Sequence, residues 1–97
     1  MIPGFKETLD EMLKLQEAKN HDYAQGAKDP FKNFKLVELM GVATTEQGLY
    51  TRLSDKYSRI ATLLTREGKV ADEKITDSLI DLANYSIILK CYLESKQ

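Results

Sequence analysis

Apolar residues along this chain recur at helical spacing, and no stretch alternates with the period of a strand. Phe5, Leu9, Met12 and Leu13 follow an i, i+4, i+7, i+8 pattern, which predicts a first helix over Gly4–Ala18 with one buried stripe. Leu49, Leu53, Ile60, Leu63 and Leu64 make the stripe of a long helix over Thr45–Arg66. Thr44 offers its N-cap, Gln47 stands at capping-box spacing, and Gly68 marks its end. A third long helix is expected over Glu73–Glu94, capped by Asp72. Its stripe is Ile75, Leu79, Leu82, Ala83 and Ile87, widened by Ile80, Ile88, Cys91 and Tyr92.

Between the first two long helices the pattern weakens. Gly26 and Asp29-Pro30 interrupt regular structure, so residues 19–35 read as a loop or lid, pinned to the core by Phe31 and Phe34. A short helix is expected at Lys35–Leu39, ending near Gly41. The fold class is all-α: one domain over residues 1–97, a small antiparallel helical bundle. From Leu79 onward the last helix is apolar on most sides, more than two other helices of this size can cover. A homodimer or homotetramer is therefore expected to complete the core.

Composition narrows the function classes. Net charge is −1, from 14 basic and 15 acidic residues, which argues against general binding of duplex nucleic acid. A lone cysteine, Cys91, excludes a disulfide framework, and its apolar neighbours predict a buried, inert thiol. His21 is the only histidine, with no second zinc ligand of its kind near it. There is no secretory signal at the start and no membrane-length apolar run, so a cytoplasmic location is expected.

The candidate chemistry lies on the polar sides of the two long helices. Asp77 and Asp81 stand one turn apart, with Asn84 and Tyr85 continuing that side. Carboxylates on a largely apolar helix call for a positive partner, Mg²⁺ or basic side chains of the neighbouring helix, unless they form a solvated edge. That helix carries Arg52, Asp55, Lys56 and Arg59. One reading pairs Asp55 with Arg52 and Arg59 within the helix. Another gathers Asp55, Asp77 and Asp81 around a metal and turns the cations toward a polyphosphate. Lys19, Asn20, Asp22, Lys32 and Asn33, flanked by Tyr23, Phe31 and Phe34, suit contacts to a sugar and base, or a loop tied by its own hydrogen bonds.

Four stretches carry a family resemblance. They are Lys19–Tyr23, Asp29–Phe34, Gly48–Ile60 and Asp72–Tyr85, in that order. Together they resemble the phage and bacterial family called nucleotide modification associated domain 1, which looks like a divergent branch of the MazG-like all-α nucleotide pyrophosphohydrolases. Those enzymes cut a nucleoside triphosphate between its α- and β-phosphates, using Mg²⁺ held by a Glu-x-x-Glu on one helix and a Glu-x-x-Asp on the next. Asp81 corresponds to the final Asp of the second motif. Its Glu position falls on Ser78, one place after Asp77, and Asp55 is the one acid in the matching part of the preceding helix.

The resemblance implies a Mg²⁺- or Mn²⁺-dependent activity on a (deoxy)nucleoside triphosphate, in phage nucleotide metabolism or base modification. Asp55 and Asp81 would be catalytic, and Asp55, Asp77 and Asp81 the metal ligands. Lys19, Asn20, Asp22, Lys32, Asn33, Arg52, Lys56, Arg59 and Asn84 would hold the nucleotide. The incomplete acidic set leaves open a non-catalytic nucleotide binder, a sensor or sequestering protein on the same fold. An oligomeric interaction module, with the charges serving as interhelical ion pairs, is the third reading.

Overall fold

The computed structural model describes residues 1–24, 29–65 and 74–97, the side chains of 20–24 excepted. Four helices account for them: α1 Phe5–Ala24, α2 Lys32–Leu39, α3 Thr45–Thr65 and α4 Ile75–Ser95. The fold is all-helical among the described residues. None of these helices is long and apolar enough to cross a membrane.

The frame of the fold is the α3–α4 pair, and three cross-links fix its sense. Glu46 meets Lys96, Arg52 meets Tyr85 and Lys56 meets Asp81. Partners advance along α3 as they retreat along α4, so the helices run antiparallel. The facing row on α3 is Thr45, Leu49, Arg52, Lys56 and Ile60. On α4 it is Ser78, Asp81, Tyr85, Ile88 and Tyr92. Leu49, Ile88 and Tyr92 form the buried cluster, with Phe31, Phe34, Tyr85 and Leu89 packed against it. Phe31 meets Tyr92 edge to face, 5.4 Å between ring centroids. Both phenylalanines therefore pin their segment to the core, as the sequence led us to expect.

The cap signals hold where they can be seen. Gln47 N–H donates to Thr44 Oγ1 at 3.0 Å, and Thr44 N–H donates to Gln47 Oε1 at 2.9 Å, the reciprocal pair of a capping box. Helix α2 ends in a Schellman motif. Val42 N–H donates to Val37 O, Gly41 N–H donates to Glu38 O, and Gly41 takes φ +74°. Arg66, Gly68, Asp72 and Glu73 lie outside the described residues.

Several expectations are corrected. Helix α1 runs on to Ala24 instead of stopping at Ala18, because no Gly or Pro interrupts 18–24. Helix α2 begins at Lys32, since Asp29 organises its start: Phe31 N–H donates to Asp29 Oδ1 and Lys32 N–H to Asp29 O. The expected loop over 19–35 is thus helical at both ends. The stripes are also partly misplaced. Among the described side chains of α1 only Met12 is buried, while Phe5, Leu9 and Leu13 are exposed. In α4 Ser78, Ile88 and Tyr92 face inward and Leu79 and Ile87 are exposed; Leu64 of α3 is exposed too. Cys91 is exposed rather than buried. The common cause is the α3–α4 register: inward-facing Ile88 and Tyr92 turn Ile87 and Cys91 toward α1, whose stripe does not close over them.

The result is an open structure. Its accessible surface is 7585 Å², against roughly 5,600 Å² for a compact monomer of this mass.

Two predictions follow from the packing. Leu49 is 1% exposed and Leu64 is 65% exposed. Leu49→Ala should cost about 3 kcal/mol and leave much of so small a domain unfolded, whereas Leu64→Ala should cost about 0.5 kcal/mol or less, both read from urea midpoints. The second concerns pH. Lys35 bonds Asp29 at 2.6 Å and Lys96 bonds Glu46 at 2.8 Å, so both carboxyls sit below their ordinary range and both ammoniums above theirs. The carboxylate contribution is present above the unfolded carboxyl range and lost as pH falls below about 4. The lysine contribution is lost only as pH rises past about 10.5. Unfolding midpoints should therefore be level between these limits, and Asp29→Asn with Glu46→Gln should flatten the acid limb.

Candidate functional site

The middle of the α3–α4 seam is polar. Arg52 and Lys56 take positions in line with Leu49 and Ile60, where a simple two-helix pair would place apolar residues. Lys56 Nζ lies 3.0 Å from Asp81 Oδ2, with the lysine 18% and the aspartate 34% exposed. Partial burial makes this pair less screened than a surface one. One turn away, the Arg52 guanidinium lies 5.2 Å from the Phe34 ring centroid and 5.5 Å from that of Tyr85. Its Nη1 also donates to Tyr85 Oη at 3.4 Å, a long contact. Two aromatic rings thus hold Arg52 by cation–π attraction, so its extended shape is set in advance. Arg52 as a whole residue stays exposed.

A groove of about 550 Å³ opens beside Arg52, between α2 and the first turns of α3. Asn33, Phe34, Thr51 and Arg52 supply part of its wall. Gly48 lets the helices approach here, since a Cβ at that position would stand 2.9 Å from Val37 Cγ1.

The remaining sequence-predicted residues fall into two sets. Asn33, Arg52, Lys56 and Asp81 lie along the seam or the groove beside it, whereas Asn84 lines a different groove, between α1 and α4. Lys32 is exposed in the first turn of α2, and Lys19 is half-buried in α1. Asn20 and Asp22 belong to α1, but their side chains lie outside the described residues. Asp55, Arg59 and Asp77 are exposed, on the helices expected to carry them.

The metal test can be made on geometry. Among the described residues no three His, Cys, Asp or Glu side chains gather in a way that could hold a metal. Asp55, Asp77 and Asp81 are therefore not drawn into one cage, and Asp81 is matched by Lys56 instead. Ser78, at the position where the enzyme relatives place a Glu, is buried in the seam at 4% exposure. It does not supply the missing carboxylate. No metal-dependent step follows from this set.

Sequence reasoning missed Phe34 and Tyr85 as the holders of Arg52. The signal was present, since aromatic residues flank the cations in both stretches, but which ring meets which cation depends on helix register. The sequence pattern of nucleotide modification associated domain 1 matches residues 19–91. That span takes in α2, α3, most of α4 and the whole polar seam. The chain belongs to this family. No curated protein matches it, and no solved structure does. The matched region contains Arg52, Lys56, Asp81 and Tyr85, which ties the polar layer to the region the family shares.

The Lys56–Asp81 pair can be tested by a double-mutant cycle with Lys56→Met and Asp81→Asn. The coupling energy should be about 1 kcal/mol or less and should shrink in high salt. The double variant should lose less stability than the two single variants added together.

Proposed function

We propose that this protein handles nucleotides by binding a (deoxy)nucleoside phosphate at the α3–α4 seam. Arg52 and Lys56 take the phosphates, Asn33 lies on the α2 side of the groove beside them, and Lys32 is its exposed neighbour in the first turn of α2. The observation that carries this reading is the Arg52 guanidinium set against two aromatic rings. A guanidinium held by Phe34 and Tyr85, exposed beside a groove, is set up for bidentate phosphate contact with little further ordering. Membership of a family named for nucleotide modification supports it.

Binding is placed ahead of hydrolysis because of the acids. Mg²⁺ needs only one or two carboxylates when phosphates complete its shell. In this proposal Mg²⁺ or Mn²⁺ arrives on the nucleotide, with Asp81 the carboxylate in the seam and Asp55 and Asp77 on its flanks. Pyrophosphohydrolase activity, implied by the resemblance to MazG-like enzymes, is the alternative outcome of the same experiment. Homo-oligomerisation belongs to the proposal as well. The excess surface and the exposed Leu64, Leu79 and Leu93 support it.

The experiment is a thermal-shift screen of purified protein with each common and modified nucleotide, with and without Mg²⁺ or Mn²⁺, alongside a pyrophosphate-release assay. At least one nucleoside phosphate should raise the melting temperature, and Arg52→Ala should weaken that binding roughly tenfold or more. Stabilisation without turnover establishes a binder. Pyrophosphate release that is lost in Asp81→Ala establishes the hydrolase instead. A screen in which no nucleotide stabilises or turns over sinks both.

A further inference from the structure

A second groove, of about 440 Å³, lies between α1 and α4 and is closed at one side by the Pro30–Phe34 segment. Its size is within the range of small-molecule sites. Two matched rows build it. Leu9, Met12, Leu13 and Gln16 come from α1, and Asn84, Ile87, Ile88 and Cys91 from α4. Each row has the i, i+3, i+4, i+7 spacing of one helix face, and each carries a single carboxamide at one end. Phe31 and Phe34 add aromatic surface. Among the described residues no charged side chain lines the groove.

We propose that this groove binds a nucleobase, with Gln16 and Asn84 as the residues that read its polar edge. The inference rests on the nucleotide reading of the seam. Three observations carry it. The walls are apolar and aromatic, which suits a flat, neutral heterocycle and disfavours a phosphate or sugar acid. The polar groups are two half-buried carboxamides, each with donors and an acceptor. Among the described residues neither has a hydrogen-bond partner. Each carboxamide offers the donor and acceptor that a base edge can meet, and both would be wasted on a lipid tail. Finally, Phe34 is shared. It lines this groove and also carries Arg52 on its ring, 5.2 Å from the centroid. A nucleotide has the same division: a neutral planar base on one side, charged phosphates on the other. Phe34 is the partition between them.

Cys91 supplies the probe, being the only cysteine in the chain, exposed, and on the groove wall. Its alkylation by iodoacetamide, followed by intact mass, reports occupancy. Free nucleosides of each base, lacking phosphate, are compared with inorganic tripolyphosphate. At least one nucleoside, at about ten times its Kd, should slow alkylation about tenfold, the factor set by simple saturation. Tripolyphosphate should leave the alkylation rate unchanged. Gln16→Ala and Asn84→Ala should abolish nucleoside protection while tripolyphosphate still raises the melting temperature. Arg52→Ala should do the reverse. If nucleotides stabilise the protein while no nucleoside or nucleotide protects Cys91, the groove proposal falls and the seam reading stands. If nucleosides protect but tripolyphosphate and nucleotides add nothing, the seam reading falls and the groove stands. A thiol already protected at high protein concentration and freed on dilution, with mass falling in light scattering, would assign the groove to a second copy of the chain and overturn the proposal.

Discussion

Lys56 and Asp81 sit where two apolar side chains would otherwise meet, midway along an antiparallel helix pair. Their 3.0 Å contact has a consequence for the whole molecule. A charge in a helix seam tolerates only registers that give it a partner, because an unpaired, partly buried charge is costly. With Lys56 opposite Asp81, Arg52 falls opposite Tyr85 and Glu46 opposite Lys96. Leu49, Ile88 and Tyr92 then close on one another. The polar layer does not add much stability by itself. It selects one alignment among those that the apolar residues alone would permit.

That alignment also decides what is left uncovered. Turning Ile88 and Tyr92 into the seam turns Ile87 and Cys91 out toward α1. Helix α1 buries Met12 but leaves Leu9 and Leu13 exposed, so the two helices frame a groove instead of a filled core. The charged seam and the uncharged groove meet at Phe34. One ring serves both, which makes α2 the element that couples them. Asp29 and Lys35 fasten the start of that helix at 2.6 Å, and the capping box at Thr44 fixes the start of the next.

This arrangement bears on chemistry. Hydrolysis of a polyphosphate by a metal needs carboxylates that remain available to the ion. Here the carboxylate in the middle of the seam is already matched by a lysine, as is Glu46 at its end, and the position that would supply a second acid is the buried Ser78. Recognition of a nucleotide makes lighter demands: a held cation for the phosphate and an apolar slot with a few polar groups for the base.

Much of the fold was legible in the sequence. Helical periodicity gave the all-α class, and Thr44, Gln47 and Gly41 marked their boundaries because capping is local chemistry. Phe31 and Phe34 were legible as anchors because aromatic residues in a polar stretch have few other uses. The acids and cations of α3 and α4 were legible as a set, since spacing places them on shared faces. The pairing among them was not. Whether Asp81 meets a metal, Asp55 or Lys56 depends on axial register and rotation between two helices, quantities no local pattern contains. The same holds for burial. Leu9, Leu64, Leu79 and Ile87 are as apolar as Leu49, yet only Leu49 of these is enclosed. Sequence determined which residues could be buried or charged together. Tertiary packing decided which were, because a helix with apolar residues on several sides can bury only the side that its neighbour covers.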